Sequence, residues 1–408
     1  MLNEKQEREL AYVVIIDDIE PIPGYDRVES AIVGGWHVIV QKDQFKVGDP
    51  AIYFEIDSRV PADKECFAFL EKRHYKVKTL KMCKTLSQGL LMHASDFGWT
   101  IGDYNGITCI SDDEGVLHYA NDESRFLTKK LGVTYADDED NSRKAPSVDK
   151  YKKMAQRHPS IFKKSWARWL MKRAWGRKLM FFFFGKKKDK KNGWPVWVSK
   201  TDEERIQNMP WIINSDEKWI ATEKIDGTST TFTMKRGKFG KKSFYVCSRN
   251  VCFGSEDKPC YYDTNVYWEM AKKYNIFEVL DKLLTYTFFD DEWVTIQGET
   301  YGNSVQKRDY SIEGHDFMAF NLITSSHSRY GTEMMKCYLE PMGIPCVPTV
   351  ESDIVFTDKF ATVEDMLLYA EGDSKVDGLP REGIVFRTKD GQKSFKAVSN
   401  SFLLKYHG

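Results

Sequence analysis

Cysteine is scarce in this chain. Eight in 408 residues are too few for a disulfide scaffold. Cys247, Cys252 and Cys260 lie close in sequence, but no C-x-x-C pair or partnering histidine spacing makes them a zinc site. We read the thiols as reduced, which suits a cytoplasmic protein. Long apolar runs are also missing. The longest in the middle of the chain, Leu179–Phe184, has six residues, far below the ~20 that cross a bilayer. The opening stretch MLNEKQEREL is charged and has no apolar signal core behind a basic cap. Net charge is absent too, because 60 Lys and Arg balance 60 Asp and Glu, so no global field announces a partner. What is present, 41% apolar residues and a mean hydropathy of -0.51, describes a soluble globular chain and excludes a collagenous or wholly disordered one. Its length allows two or three domains.

The charge is unevenly placed. Lys150–Asn192 holds 16 basic residues and a single acid, Asp189, and such a shift marks a linker or an interaction segment. The boundaries expected are 1–125 for a first domain, 126–199 for a basic connecting segment and 200–408 for a second domain. Within the basic segment, Phe162, Trp166, Trp169 and Leu170 share one helical face. That pattern fits a helix docked on the second domain, an arm gripping a polyanion, or a membrane-surface helix. Lys186, Lys187, Lys188, Lys190 and Lys191 would extend a phosphate track.

Before the boundary, short β-prone runs such as Tyr12–Ile16, Ala31–Val33, Trp36–Val40 and Ala51–Ile56 recur between Gly, Pro and Asp turns. This spacing predicts a small barrel or sandwich, best matched by an OB-like β-barrel. Such a barrel either binds nucleic acid or braces its neighbour. Lys72, Arg73, Lys76, Lys78, Lys81 and Lys84, with Tyr75, form either a phosphate track or a solvated charged face.

Chemistry concentrates in the second half. Lys224-Ile-Asp226-Gly227 sits between the apolar Trp219–Glu223 stretch and the β-prone Thr228–Thr233. A lysine at such a turn aims its amine into a cleft and becomes a nucleophile when deprotonated. K-x-D-G alone is a weak signal, and Lys375-Val-Asp377-Gly378 repeats it. The second copy follows the turn-rich Glu371-Gly-Asp-Ser374 and reads as a surface turn. Lys224 is preferred because an ordered series follows it: Ser248-Arg249-Asn250, Gly298-Glu299, Phe317-Met-Ala-Phe320-Asn321, Glu382-Gly-Ile-Val-Phe-Arg387 and Ser394-Phe-Lys396. Carboxylates, cations and an aromatic ring in this order suit metal-assisted nucleotidyl transfer. Acids hold a divalent ion and ribose, cations neutralise phosphate, and a ring stacks on the base.

This series resembles the covalent nucleotidyltransferases, most closely the ATP-dependent RNA ligases of the RNA ligase 2 type, in the branch with an N-terminal OB domain. The likeness runs from Lys200, where Lys200–Asn208 also resembles that branch, to the end of the sequence. It implies an α+β fold: an OB-like barrel followed by an adenylyltransferase domain of antiparallel sheets with helices. It implies Lys224 as the residue that takes AMP from ATP, with Asp226 supporting later steps near metal or ribose. Glu223, Arg249, Glu299, Phe320, Arg205 and Lys396 would bind the nucleotide. Of these, Glu299 would hold the ribose, Phe320 would stack on adenine, Lys396 would meet the α-phosphate and Arg205 the triphosphate. Glu382, Asp226 and, through water, Asn250 would serve Mg2+ or Mn2+.

The family often has a second lysine two places after Lys396, where this chain has Val398, and Lys405 is the candidate substitute. Only 12 residues follow Lys396, which leaves no room here for the C-terminal OB domain usual in DNA ligases and capping enzymes. The expected partners are RNA ends bearing 3'-hydroxyl and 5'-phosphate, including nicked duplexes, in RNA repair. No membrane partner is expected, and the protein should be a monomer. A DNA ligase and a non-catalytic nucleic-acid-binding protein are the alternatives.

Overall fold

The computed structural model describes residues 1–136, 170, 194–254, 260, 262 and 264–407. The basic stretch and its expected Phe162–Trp175 helix therefore lie outside the described residues, Leu170 apart.

The β-prone runs of the first hundred residues form small antiparallel sheets. Strands β1 (Ala11–Ile15), β5 (Pro50–Phe54) and β6 (Leu90–Met92) make one sheet, in the order β1-β5-β6. Strands β2 (Asp18–Pro21), β3 (Val28–Val33) and β4 (Trp36–Gln41) make a meander. β5 is buried along its whole length, which explains its unbroken apolar sequence. Its alternate residues feed two clusters, one holding Ile52 and Phe54, the other Ala51 and Tyr53. Trp36 stacks on Tyr53 with ring centroids 6.2 Å apart. Fully burying an aromatic of this kind stabilises by roughly 1.5–3 kcal/mol.

The first domain runs past the expected limit at residue 125. Leu127, Leu131 and Val133 enter its core, and Thr134–Tyr135 pairs with Ser58–Arg59. These apolar side chains would face water in a linker, so residues 126–135 stay with the barrel.

The second domain is built on two antiparallel sheets. The first has strands Thr349–Val355, Lys218–Lys224, Gly383–Thr388 and Ser394–Val398 in that order; the second has Cys252–Phe253, Lys242–Ser248, Thr228–Arg236, Trp293–Gly302 and His315–Thr324. The helix Val363–Ala370 covers the first sheet through Met366 and Leu367, where Trp219 stacks on Phe356 at 4.8 Å. Helices Val266–Lys273 and Ile276–Lys282 cover the second through Met270 and Leu280. A third cluster, Ile225, Tyr301, Tyr310 and Val347, lies where the sheets approach each other. The chain crosses from one sheet to the other at Ile225-Asp226-Gly227, so the K-x-D-G turn is placed between them. No helix among the described residues is long and apolar enough to cross a membrane.

Candidate active site

Lys224 ends its strand paired with Gly383, which puts the amine beside the glutamate preceding that glycine. Lys224 Nζ donates to Glu382 Oε2 at 2.7 Å. Both glycines are dictated by crowding. A Cβ on Gly227 would lie 2.3 Å from the Thr300 carbonyl oxygen, and one on Gly383 would lie 2.2 Å from that of Ala397. The motif glycines thus let strands close over the site.

Lys224 and Gly227 line a cavity of about 340 Å³ together with Glu223, Arg249, Glu299, Phe320 and Lys396, while Glu382, Asp226 and Asn250 are not in its lining; the size suits a small ligand. Phe320 is half-buried, with the Arg387 guanidinium 5.7 Å from its ring, and the apolar Val347 and Val385 line the same cavity. An aromatic ring and aliphatic side chains in one cavity suit a base. At the mouth, Lys396 Nζ donates to Asp202 Oδ1 at 3.2 Å and Arg249 Nη2 to Asp202 Oδ2 at 2.7 Å. Two cations thus meet one carboxylate where the resemblance expects phosphate. Burial, with Arg205 and Lys224 adding, lowers the Lys396 amine below its ordinary value despite Asp202.

Burial also disfavours the charged form of Lys224, but the carboxylates of Glu382, Glu299 and Asp226 outweigh it and hold the amine above the usual lysine value. Glu299 is pushed up to about 8, chiefly by burial, with Glu382 and Asp226 adding and Lys224 opposing. Between about pH 5 and pH 8 the folded state therefore holds a proton that the unfolded chain has released, and stability falls as pH rises. Glu299→Gln removes that dependence. The thermal midpoint of the variant should gain on wild type between pH 5.5 and pH 8, and a constant difference across this range would refute the assignment.

Glu223 lines the cavity with its carboxylate already engaged, and the remaining expected residues fall elsewhere. The Glu223 carboxylate is buried and accepts from Ser374 Oγ and from the Lys375 backbone N–H at 2.8 Å. Asn250 is exposed, with Oδ1 accepting from Lys200 Nζ at 2.8 Å. Arg205 caps the short helix Ile206–Asn208 and sets its guanidinium 5.7 Å from the Trp36 ring of the first domain. It is absent from the cavity lining, and the pull of an indole face on a cation explains its place. Lys405 is exposed over the Tyr406 ring, 5.0 Å away, and is not in the lining either. The Lys375 amine donates to the Thr349 carbonyl at 2.6 Å. All eight cysteines are free.

Three participants escaped the sequence reading. Asp202 bridges the two cations. Glu203 accepts from Arg329 and Arg387, at 3.1 and 3.2 Å. Gln306 donates to the Gly227 carbonyl at 2.9 Å. Asp202 and Glu203 stand inside the Lys200–Asn208 stretch and Arg387 closes the E-G-I-V-F-R series, so each had a signal. Gln306 had none.

No group of three or more His, Cys, Asp or Glu side chains at metal-ligand spacing occurs among the described residues. Mg2+ and Mn2+ need no such cage, since they keep waters and phosphate oxygens among their ligands. The crowding of Glu382 and Asp226 on Glu299, which adds to the effect of burial there, is the electrostatic setting a divalent cation relieves, so the residues fit one.

A covalent nucleotidyltransferase fold, with its lysine between two antiparallel sheets, is the class that this geometry defines. Residues 217–407 match the RNA ligase family model and residues 10–94 an OB-fold domain model. The chain thus carries an RNA ligase domain behind an N-terminal OB-fold domain. Among solved structures it is similar to the RNA ligase of Naegleria gruberi. A mutant of that enzyme with ATP and Mn superposes at a TM-score of 0.63 and 24% identity, covering 98% of this chain and 99% of that one. Another mutant without ligand gives 0.63 and 25%, with the same coverage. A third, with AMP and Mn, gives 0.62 and 24%. No curated protein matches the sequence significantly.

Proposed function

We propose that the protein is an ATP-dependent RNA ligase that seals 3'-hydroxyl and 5'-phosphate ends through AMP carried on Lys224. One observation carries the reading: the Lys224 amine, 2.7 Å from Glu382, stands in a cavity shared with Phe320 and Glu299 and with the cations Arg249 and Lys396. Adenine stacks on Phe320, and the ribose hydroxyls meet Glu299. The phosphates replace Asp202 as the partner of Lys396 and Arg249, exchanging one carboxylate for a more highly charged anion.

Deprotonated Lys224 Nζ attacks the α-phosphorus. A P–N bond forms, the bond to the bridging α–β oxygen breaks, and pyrophosphate leaves. An oxygen of the RNA 5'-phosphate then attacks the same phosphorus, breaking the P–N bond and restoring the amine. The 3'-hydroxyl attacks the activated 5'-phosphate and AMP departs. Glu382 and Asp226, with Asn250 through water, would hold a divalent cation, which when bound would neutralise charge at the phosphates and weaken the carboxylate field that keeps Lys224 protonated. RNA repair in the cytoplasm, by a monomer acting on nicks, is the role that suits this chemistry.

A panel of nicked duplexes with RNA or DNA on either side of the break tests the reading, run with Mg2+ and with Mn2+. RNA-containing nicks should be sealed, and ends lacking the 3'-hydroxyl should accumulate as adenylylated strands. Equal sealing of all-DNA nicks would instead favour a DNA ligase.

A further inference from the structure

The loop between Gly302 and His315 carries no recognisable motif, yet it touches both sides of the site. It leaves the strand that bears Glu299. Tyr310, buried in the cluster between the sheets, accepts a hydrogen bond at its hydroxyl from the Asp226 backbone N–H at 2.6 Å. Gln306 donates to Gly227 O at 2.9 Å. Arg308 is the loop's buried cation, its side chain only 2% exposed. Its guanidinium lies 4.0 Å from the Tyr310 ring centroid. One amino group donates to the Pro380 carbonyl at 2.6 Å and the other to Asp377 at 2.5 Å. Asp377 is itself only 4% exposed, and it belongs to the second K-x-D-G copy. Beyond Pro380, Arg381 is fixed to the carbonyls of Ala370 and Tyr369, at 3.0 and 2.8 Å, at the end of a helix. Glu382 follows directly.

We infer that Arg308 is a positioning residue for adenylyl transfer: it ties the Asp226 turn, through Tyr310, to the 377–380 turn that leads into Glu382. The inference rests on the ligase reading above. The physical need is plain. Lys224, Asp226 and Glu382 come from two distant stretches of chain, and the carboxylates repel one another. Something rigid must hold the two turns at a fixed separation. A planar guanidinium does this better than an ammonium, because its fork binds a carboxylate and a carbonyl at once while its face packs on a ring. The aspartate of the duplicated motif is thus an anchor for the site, while its lysine points elsewhere.

The test measures single-turnover formation of the protein–AMP adduct from α-labelled ATP, alongside ATP affinity and the thermal midpoint. Arg308→Met should slow adduct formation about 100-fold, the cost of a displacement of about 1 Å at a reacting centre. ATP affinity should change less than about 3-fold, a split that general destabilisation would not produce. Arg308→Lys should recover part of the rate. Tyr310→Phe keeps the ring under the guanidinium, loses only the hydroxyl, and should cost about 10-fold. If Arg308→Met does not fold, Arg308→Lys and Tyr310→Phe decide: full rates in both overturn the inference. It is likewise overturned if rate and affinity fall together in every folded variant. A wild type that ATP fails to label would overturn the ligase reading, whereas a labelled wild type with full-rate variants overturns the positioning role alone.

Discussion

Replacing Lys224 with alanine is expected to abolish covalent labelling by α-labelled ATP, while Lys375→Ala keeps wild-type labelling. The two lysines occupy the same place in the same four-letter pattern, so the pattern does not choose between them. Their surroundings do. Lys224 lines a cavity together with Arg249 and Lys396 and has Glu382 at 2.7 Å. Lys375 is exposed and its amine is spent on the Thr349 carbonyl. Denaturing gels of both variants, resolved after incubation with labelled ATP and Mg2+, give the answer directly. Label retained by Lys224→Ala and lost from Lys375→Ala would invert the site.

Glu382→Ala should lower sealing by about 10²–10³-fold, the usual cost of losing one group that stabilises developing charge, with either Mg2+ or Mn2+. Two roles for this carboxylate make opposite forecasts. As the closest acidic neighbour of Lys224, it helps hold the amine protonated, so its removal alone would ease deprotonation and speed attack near neutral pH. As a support for the divalent cation, its removal withdraws what neutralises the phosphates. The second effect should dominate, because carboxylates that favour a protonated nucleophile only make sense beside a cation that offsets them. Sealing at or above the wild-type rate in both metals would leave Glu382 as a mere proton-holder. Circular dichroism and a thermal melt should show that the variant stays folded, since the glutamate sits on a turn rather than in an apolar cluster.

Much of this site was legible because its residues stand on or beside β-prone runs. Lys224 ends its strand, Glu382 stands just before one, and Glu299 and Lys396 lie within theirs, so each showed as a charged residue among apolar and β-branched neighbours. Phe320 was readable from the motif around it, within the strand His315–Thr324. Arg205 was less so, since a short polar stretch reveals a helix start but not which face of which domain it meets. The aromatic partner, Trp36, lies 169 residues away, and no local pattern joins them. Residues 126–135 read as linker in the sequence because three scattered apolar residues, Leu127, Leu131 and Val133, look unremarkable until a barrel requires them.

The sequence by itself showed a two-part organisation, and its ordered motifs carried the likeness that implies the α+β class and an RNA ligase domain, because both depend on local order: which residue types follow one another and where turns interrupt them. Tertiary structure alone decided that Asp202 engages both Lys396 and Arg249 and that Glu299 is buried deeply enough to hold its proton. It also decided that Arg308 joins the true K-x-D-G turn to its duplicate. These are properties of distance between segments 47 to 194 residues apart along the chain. Electrostatic and hydrogen-bond energies depend on separations of a few ångströms, and only the closing of two sheets on each other sets those separations.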